Sequence, residues 1–454
     1  MPRKRATGDR PGLAHKNKSG WEILKGSLSD IESYNREYLR FLSQVKTERE
    51  AVEYIRDRAG KAAGLHLVEN RGKAVAVCRK GAAPLKEGVR IVVAHIDSPR
   101  LDLKANPLYE DTDLAMLKTH YYGGIKKYQW LARPLALHGV LAKEDGSLVK
   151  VVMGEDPDDP CLTIEDLLPH LAANAQYSKK LSEAFQAEKL NIILGSRPDL
   201  RAKDNRVKEY ILSLLHEKYG IVEQDFISAD LEVVPAGPAR EVGIDRSLVG
   251  GYGQDDRVCS WAAFAAVRDA KTPRYTSIAL LMDKEEIGSE GNTGAKSVFI
   301  EEVLWELAGR FKEEVIPSRA LFRSRAISGD ANGALDPDYP EVHEKMNAAR
   351  LGYGVCVTKF TGARGKVGSN EAHAEYMAYI RSLLNRAGIP WQTGELGKVD
   401  EGGGGTVAKF LAEYGMDIVD MGPALLSMHS PFELSSKVDT YSTYLAYRAF
   451  MEDK

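Results

Sequence analysis

Histidine and carboxylate residues directly follow several short apolar segments of this 454-residue chain. Each segment has the composition of a buried strand, and ligands of an open α/β sheet bind at the carboxyl ends of its strands. Groups far apart in the sequence would therefore meet at one edge of a sheet. A further acidic pair precedes a predicted helix. The candidates are His95 and Asp97 in VVAHIDSP, Asp255 and Asp256 in GGYGQDDRV, Glu285 and Glu286 in ALLMDKEEIGS, Asp330 in AISGDANG, and His429 in ALLSMHSP.

Imidazole and carboxylate groups without cysteine are suitable ligands for catalytic zinc, cobalt or manganese. More than three such ligands indicate two ions that share one carboxylate. Two ions lower the pKa of a water molecule and polarise a carbonyl, and a nearby unligated carboxylate can accept the proton. If Glu285 and Glu286 lie on extended chain, their side chains point in different directions, so one could bind metal while the other faces the water. Asp97 would lie on the same side as His95 and could accept its second N–H.

Each of these fragments also has an ordinary structural explanation. A His-x-Asp sequence arises by chance, and adjacent glutamates usually lie on exposed helix faces. An Asp-Asp pair before a helix can cap it. A single histidine such as His429 after an apolar run is usually a buried residue with satisfied hydrogen bonds. The joint occurrence of these fragments at predicted strand ends favours a two-metal hydrolytic site.

The order of predicted elements indicates an α/β fold, with a mostly parallel sheet flanked by helices and an inserted β-rich domain. Strand-like and helical segments alternate up to about residue 104 and again from about residue 247. Between them, YYGGIKKYQWLARPLALHGVLAKEDGSLVKVVMG alternates with a period of two, which is typical of hairpins. We therefore expect a catalytic domain of residues 1–104 and 247–454, and a β-rich domain of residues 105–246.

Local patterns add four predictions. GLHLVEN and KAVAVCRK indicate a hairpin, RVKEYILSLLHEKYG an amphipathic helix, and the residues around EAFQAEKL a polar helical segment. The four glycines at 402–405 either open a helix or let the backbone approach a substrate.

Composition excludes several classes of protein. With 62 Lys+Arg against 65 Asp+Glu, the net charge of −3 provides no general attraction to nucleic acid or to a membrane surface. No run of about 18 apolar residues occurs. The basic N-terminus, expected to be poorly ordered, lacks the apolar stretch of a signal peptide. The cysteines are widely spaced, which argues against disulfides and a thiolate zinc site. We expect a soluble, cytoplasmic protein without nucleic-acid or membrane partners.

Several motifs together resemble the aspartyl aminopeptidase family of two-metal metallopeptidases, relatives of the tetrahedral dodecameric aminopeptidases. They extend from about residue 90 to the C-terminus, and DKEEIGS followed by MHSPFE is the most specific part. The motifs are VVAHIDSPRLDLK, YYGGIKKYQWLARPL, LLPHLA, GQDDRV, DKEEIGSEGNTGA, ISGDANGALDP and LLSMHSPFE. The resemblance implies removal of N-terminal residues from peptides. It also implies two divalent ions per subunit, and a homododecamer whose inserted domain serves oligomerisation and substrate access.

The resemblance further implies individual roles. One metal ion would be held by His95, Asp255 and Asp330, and the other by Asp255, Glu286 and His429, with zinc expected and cobalt or manganese as alternatives. Glu285 would be the general base, and Asp97 would orient His95. Two more residues would face the substrate: His170 of LLPHLA, reaching in from a neighbouring subunit, and Lys359 of VCVTKF.

The sequence departs from the family pattern at three positions outside the expected ligands. Gly333 and Asp336 stand where the family usually has histidines, and Asp256 where it has asparagine. These departures bear on the preference for acidic N-terminal residues rather than on metal binding. The alternatives to an aminopeptidase are a related metal-dependent carboxypeptidase or amino-acid deacylase, and a non-enzymatic scaffold.

Overall fold

The candidate residues lie around a central sheet of eight strands in the computed structural model, which describes residues 16–454. The strands of this sheet are β1 (Leu65–Asn70), β2 (Ala74–Arg79), β3 (Arg90–His95), β12 (Ser277–Met282), β13 (Arg325–Ser328), β15 (Val355–Thr358), β16 (Trp391–Thr393) and β17 (Asp417–Gly422). Their spatial order is β1-β2-β12-β3-β13-β17-β15-β16.

The centre of the sheet is parallel, as the sequence predicts. Strand β3 pairs in parallel with β12 and β13, and β13 pairs in parallel with β17. Strands β3 and β12 are buried along their whole length, which explains their unbroken apolar sequences. The predicted β1–β2 hairpin is confirmed as an antiparallel pair, and β15 also runs antiparallel to β17.

Helices cover both faces of this sheet. The alternation of side chains along β3 sends Val92 and Ala94 into one apolar core, and Ile91 and Val93 into the other. The first core is built with α2 (Leu28–Gln44), α3 (Glu48–Ala59), α6 (Gln254–Asp269), α9 (Ala374–Arg386) and α11 (Lys437–Glu452). The second is built with α7 (Phe299–Phe311), α8 (Pro317–Phe322) and α10 (Ala408–Ala412). A short helix, α1 (Gly20–Ile23), precedes α2.

A second sheet, here called the inserted sheet, has six strands among the described residues, in the order β7-β6-β9-β4-β5-β8. Its strands pair antiparallel throughout. They are β4 (Arg100–Asp111), β5 (Leu114–Tyr122), β6 (Leu135–Ala142), β7 (Leu148–Met153), β8 (Ile192–Gly195) and β9 (Ala229–Pro235). The division into two domains stays a prediction, and this separate sheet with its own apolar core supports it.

The helical predictions for the insert have different outcomes. RVKEYILSLLHEKYG forms α5 (Arg206–Tyr219), which ends at Gly220 in the left-handed conformation. The segment around EAFQAEKL is not one helix. It forms the single turn α4 (Leu181–Ala184) and a 3₁₀ turn, Ala187–Lys189. Its side chains are largely exposed, so no apolar face stabilises a longer helix.

A third, smaller sheet joins segments that flank the candidate site. Its strands are β10 (Arg240–Val242), β11 (Leu248–Gly251), β14 (Asn332–Gly333), β18 (Ala424–Leu426) and β19 (Glu433–Ser436). Strand β11 leads into the loop before α6 and pairs with β19, which also pairs with β18. The loop between β18 and β19 is therefore held beside the start of α6.

Buried ion pairs connect the inserted sheet to α3. Arg100, the first residue of β4, has its guanidinium 3.3 Å from Glu48 and 3.3 Å from Glu232. Lys73 lies 3.0 Å from Glu48, so two cations face two acids. Isolated buried charges would be costly, and their mutual pairing offsets that cost. The Arg100 guanidinium also packs 4.0 Å above the ring of Tyr122 and fixes the end of β5.

No helix of residues 16–454 combines the length and the apolar character that crossing a membrane requires. The expectation of a poorly ordered N-terminus concerns residues that lie mostly outside the described part of the chain.

Candidate metal centre

Five separate segments bring the candidate residues to one cavity of about 280 Å³. His95 ends β3, and Asp330 follows β13 by two residues. Asp255 lies at the start of α6, and Glu286 lies in a 3₁₀ turn after β12. His429 lies in the loop between β18 and β19. His95, Glu286 and Asp330 therefore lie at the carboxyl edge of the central sheet, as expected, and segments of the third sheet bring Asp255 and His429 to the same cavity.

Two groups of potential ligands share Asp255. The donor atoms of His95, Asp255 and Asp330 lie within 4.8 Å of one another, and so do those of Asp255, Glu286 and His429. His95 Nε2 lies 3.4 Å from Asp255 Oδ1. His429 Nε2 lies 3.2 Å from Asp255 Oδ2 and 3.3 Å from Glu286 Oε1. The grouping corresponds to the two ligand sets that the resemblance implies.

The chemistry of this donor set fits divalent cations. Asp255 Oδ1 and Glu286 Oε1 are buried and accept no hydrogen bond among the described residues. Burial, together with the charge of Asp255, raises the pKa of both Glu286 and Asp330 well above the usual range. Burial lowers the pKa of His429, but Asp255 and Glu286 outweigh it and raise that pKa to about 10. The negative charge of the clustered carboxylates is thus not balanced by the neighbouring histidines. A divalent metal ion would supply the missing positive charge.

Glu285 lies beside the two groups without belonging to either. Its Oε2 is 4.0 Å from His95 Nε2, and burial is the main cause that raises its pKa to about 7. Glu285 and Glu286 do not lie on extended chain, because both belong to the 3₁₀ turn Glu285–Ile287. Consecutive side chains of such a turn still diverge, by about 120° at three residues per turn. The two carboxylates therefore face different neighbours.

Asp97 is buried behind His95 and organises the turn that carries both glutamates. Its Oδ1 lies 3.3 Å from His95 Nδ1 and accepts the Glu285 N–H at 3.1 Å. Its Oδ2 accepts the Glu286 N–H at 3.1 Å and the Tyr122 hydroxyl at 2.8 Å. Burial raises the pKa of Asp97, but these contacts outweigh it and hold the pKa below its usual value. A charged Asp97 can orient the imidazole of His95, as the sequence predicts.

The end of β5 brings the inserted sheet to the metal centre, a contact that sequence reasoning missed. The carbonyl of Gly124 lies 2.9 Å from His429 Nδ1, which leaves Nε2 to face the carboxylates. Gly123 has a φ of +73°, and a Cβ there would lie 3.3 Å from the Cβ of Glu286. The positive φ therefore favours glycine, and a side chain there would crowd Glu286. The motif YYGGIKK indicates a turn at these glycines, but the sequence does not identify the residues that the turn contacts.

The comparisons with known proteins agree with this geometry. The model of the family described as aminopeptidase I zinc metalloprotease (M18) matches residues 41–451. A probable M18 family aminopeptidase 1 from Thermotoga maritima is 49% identical, covering 96% of this chain and 98% of that protein.

The chain belongs to the M18 family.

Solved structures extend the similarity to the fold. The crystal structure of an M18 aminopeptidase from Thermotoga maritima is 47% identical with a TM-score of 0.92, covering 97% of this chain and 100% of that one. The structure of the S. cerevisiae mApe1 dodecamer is 20% identical with a TM-score of 0.75, and the match covers 94% of this chain and 97% of that one. At this identity the similarity concerns the fold alone. The protein is thus a metal-dependent aminopeptidase with the predicted α/β fold. This confirms the predicted function over the carboxypeptidase, deacylase and scaffold alternatives.

Two residues that the M18 resemblance assigns to the substrate lie outside the cavity lining. His170 is exposed on the 3₁₀ turn Pro169–Leu171 of the insert. Lys359 is half exposed, and its Nζ lies 3.4 Å from a carboxylate oxygen of Glu371. The roles of His170 and Lys359 stay predictions.

Other parts of the M18 chain complete the cavity wall. The basic side chains of Arg364, Lys366 and Lys398 line it, together with Glu395. Gly402–Gly405 also lines it and α10 begins only at Ala408, which favours the prediction that these glycines let the backbone approach a substrate. Gly333, one of the departures from the family pattern, belongs to the lining as well.

Replacing Asp97 by asparagine is expected to weaken metal affinity by about 10–100-fold without abolishing binding, because the support of His95 and of the glutamate turn is lost. Asparagine keeps one acceptor oxygen, so its NH₂ group must face a backbone N–H or the Tyr122 hydroxyl. Metal affinity can be measured by competition with a chromogenic chelator. Asp102→Asn is a matched control, since Asp102 pairs with Arg100 and lies outside both ligand groups. Equal affinities of wild type and Asp97→Asn would reject the supporting role.

Proposed function

We propose that this aminopeptidase binds two divalent metal ions per subunit, zinc in the first instance, with cobalt or manganese as alternatives. His95, Asp255 and Asp330 would hold one ion, and Asp255, Glu286 and His429 the other. The observation that carries the proposal is the position of Asp255, whose two oxygens face the two histidines at 3.4 and 3.2 Å. When bound, such ions polarise the carbonyl of the scissile peptide bond and make water more acidic.

In the proposed mechanism, Glu285 moves the proton. Its carboxylate takes a proton from the attacking water at an Oε atom and delivers it to the nitrogen of the leaving peptide. A pKa raised to about 7 suits both steps, since the group can accept and return a proton near neutral pH. Asp97 keeps His95 and the glutamate turn in place during the reaction.

The cavity favours peptides with an acidic N-terminal residue. Arg364, Lys366 and Lys398 contribute three cationic groups to the lining, against two acidic side chains outside the metal centre, Glu395 and the buried Asp420. Lys366 is partly neutralised by Glu371, whose carboxylate lies 2.9 Å away. The remaining positive charge would attract the carboxylate of an N-terminal aspartate or glutamate.

A panel of aminoacyl chromogenic substrates tests activity and preference together. We expect acidic N-terminal residues to be cleaved with a kcat/KM about tenfold above neutral ones, roughly one charged contact's worth of binding energy. Chelation should abolish all cleavage, and N-acetylated substrates should resist it because their terminal amine is blocked. Arg364→Ala should reduce the acidic preference but leave cleavage of neutral substrates unchanged. A panel without preference for acidic residues would contradict the charge argument.

We further propose that the protein is a homododecamer in which His170 completes the active site of a neighbouring subunit. Exposed apolar side chains lie near His170 in the sequence, as expected of a surface that another subunit covers. Leu168 is 51% exposed, Leu171 64%, Tyr177 69% and Leu181 60%. A closed symmetric assembly is the usual form of a soluble homo-oligomer. The cytoplasmic location stays a prediction.

A mixing experiment tests whether the site is shared. His170→Ala and Glu285→Gln subunits are each expected to be inactive alone. In random mixed oligomers about a quarter of the sites, half of one half, would combine an intact Glu285 with a neighbour's His170. Activity should therefore recover to about that fraction when the two variants are assembled together. Mass spectrometry would verify that mixed oligomers have formed. If these oligomers stay inactive, His170 does not act in the active site of a neighbouring subunit.

A further inference from the structure

Glu433 is a buried carboxylate beneath the two segments that carry Asp255 and His429. It opens β19, is only 1% exposed, and belongs to neither group of potential ligands. The metal centre and the proposed mechanism leave it without a role. An acid this deeply buried needs strong partners to offset the loss of its hydration.

Those partners are three backbone N–H groups from the two segments. One oxygen, Oε1, accepts the N–H of His429 at 2.7 Å. The other, Oε2, accepts the N–H of Gln254 at 2.5 Å and that of Asp255 at 3.2 Å. One side chain thus ties the loop between β18 and β19 to the start of α6.

The two tied segments have unusual backbone conformations. His429 has a φ of +63°, a left-handed conformation that residues with a side chain rarely adopt. Gly253, just before the other segment, has a φ of +75°, and a Cβ there would collide with the guanidinium of Arg257. Such conformations persist only where the surrounding contacts determine them. The Glu433 carboxylate contacts the backbone of both segments at once.

The side chain of Gln254 reinforces this arrangement. Its Nε2 donates to the Glu433 carbonyl at 2.7 Å and to the Val249 carbonyl at 3.1 Å. Its Oε1 accepts the hydroxyls of Ser435 at 2.6 Å and of Tyr38 at 3.2 Å. The start of α6 is therefore fixed on β19, and movement of Asp255 relative to His429 requires Glu433 to release a hydrogen bond.

We propose that Glu433 is a positioning residue that sets the distance between Asp255 and His429, and so determines the affinity of the ligand group formed by Asp255, Glu286 and His429. This inference rests on the two-metal site proposed above. A carboxylate is required because both of its oxygens only accept hydrogen bonds. Glutamine would turn an NH₂ group toward at least one backbone N–H, and aspartate is too short to reach both segments.

The test is a titration of the metal-free protein with Co²⁺, followed by calorimetry and by the visible absorption of the bound ion. In Glu433→Gln we expect the affinity for one of the two Co²⁺ equivalents to fall by about 10–100-fold. This is the usual effect of removing a residue that holds a metal ligand in place. The absorption of that equivalent should shift, because its ligands are displaced. The other equivalent should change less, since His95 and Asp330 do not contact Glu433. Glu433→Asp keeps the carboxyl group but shortens the side chain, and the same selective loss is expected there even if the glutamine variant does not fold.

Asp439→Asn provides the matched control. Asp439 is equally buried and accepts two backbone N–H groups, from Gly352 and Gly354, each at 2.7 Å. It belongs to neither ligand group, so its variant should lose thermal stability without selective loss of Co²⁺. Normal Co²⁺ binding by the Glu433 variants, or an equal loss in Asp439→Asn, would overturn the positioning role. A wild-type protein that binds fewer than two equivalents, or a His429→Ala variant that keeps both, would instead overturn the two-metal site itself.

Discussion

The Glu285→Gln variant is expected to retain both metal ions while its kcat falls by about 10²–10⁴-fold, the usual contribution of general acid–base catalysis. Glutamine preserves the shape of the side chain, and Glu285 lies outside both groups of potential ligands. It cannot accept the proton of the attacking water. Steady-state kinetics combined with elemental analysis of the same preparation would measure both properties.

Two further variants separate this effect from a general disturbance of the turn. Glu290→Gln changes an exposed glutamate a few residues along, and its kcat should stay near that of wild type. Glu286→Gln should lose one equivalent of metal, since Glu286 belongs to the group that contains His429. A fully metallated Glu285→Gln enzyme with near-normal turnover would exclude Glu285 as the base.

Replacement of Asp255 by asparagine is expected to remove both metal ions and with them all measurable activity. Asp255 is the one residue that the two groups share, and asparagine lacks the charge and the second acceptor oxygen. The loss of affinity should exceed the roughly 100-fold that the loss of a supporting hydrogen bond costs. Metal content after dialysis against a weak chelator gives the answer directly.

The adjacent residue Asp256 is the matched control for this prediction. Asp256 is fully buried, both of its carboxylate oxygens lack a hydrogen-bond partner among residues 16–454, and it lies outside both groups. Burial raises its pKa well above the usual range, so asparagine resembles the neutral form that is already favoured. Asp256→Asn should therefore keep its metal and its activity. Two bound ions in Asp255→Asn, or none in Asp256→Asn, would contradict the assignment.

The sequence predicts the candidate ligands because each follows an element with a recognisable pattern. His95 ends an apolar strand, and Asp330 and His429 follow two others. His95 and Asp330 meet because β3 and β13 are parallel neighbours in the central sheet, whereas His429 arrives from the loop between β18 and β19 of the third sheet. The α/β fold and the separate β-rich segment could be predicted for the same reason, since the period of the apolar residues changes between them.

The supporting residues could not be predicted in this way. Glu433 binds backbone N–H groups, and backbone groups are the same for every sequence. Tyr122 and Gly124 act across the boundary between the inserted and the central sheet, where no periodic pattern specifies the partner. The conformation of Glu285 and Glu286 depends on Asp97, which holds their N–H groups from a different strand. These contacts arise from tertiary structure alone.

The contact between Gly124 and His429 would couple metal binding to the docking of the insert. A nascent chain in which the insert has not docked lacks this support for one histidine and the Tyr122 hydroxyl that Asp97 accepts. Its metal affinity would be low, because binding energy is gained only when the full arrangement forms. By linkage, the bound ions would in turn hold the docked insert in place. A chain whose insert has not docked would therefore have little activity.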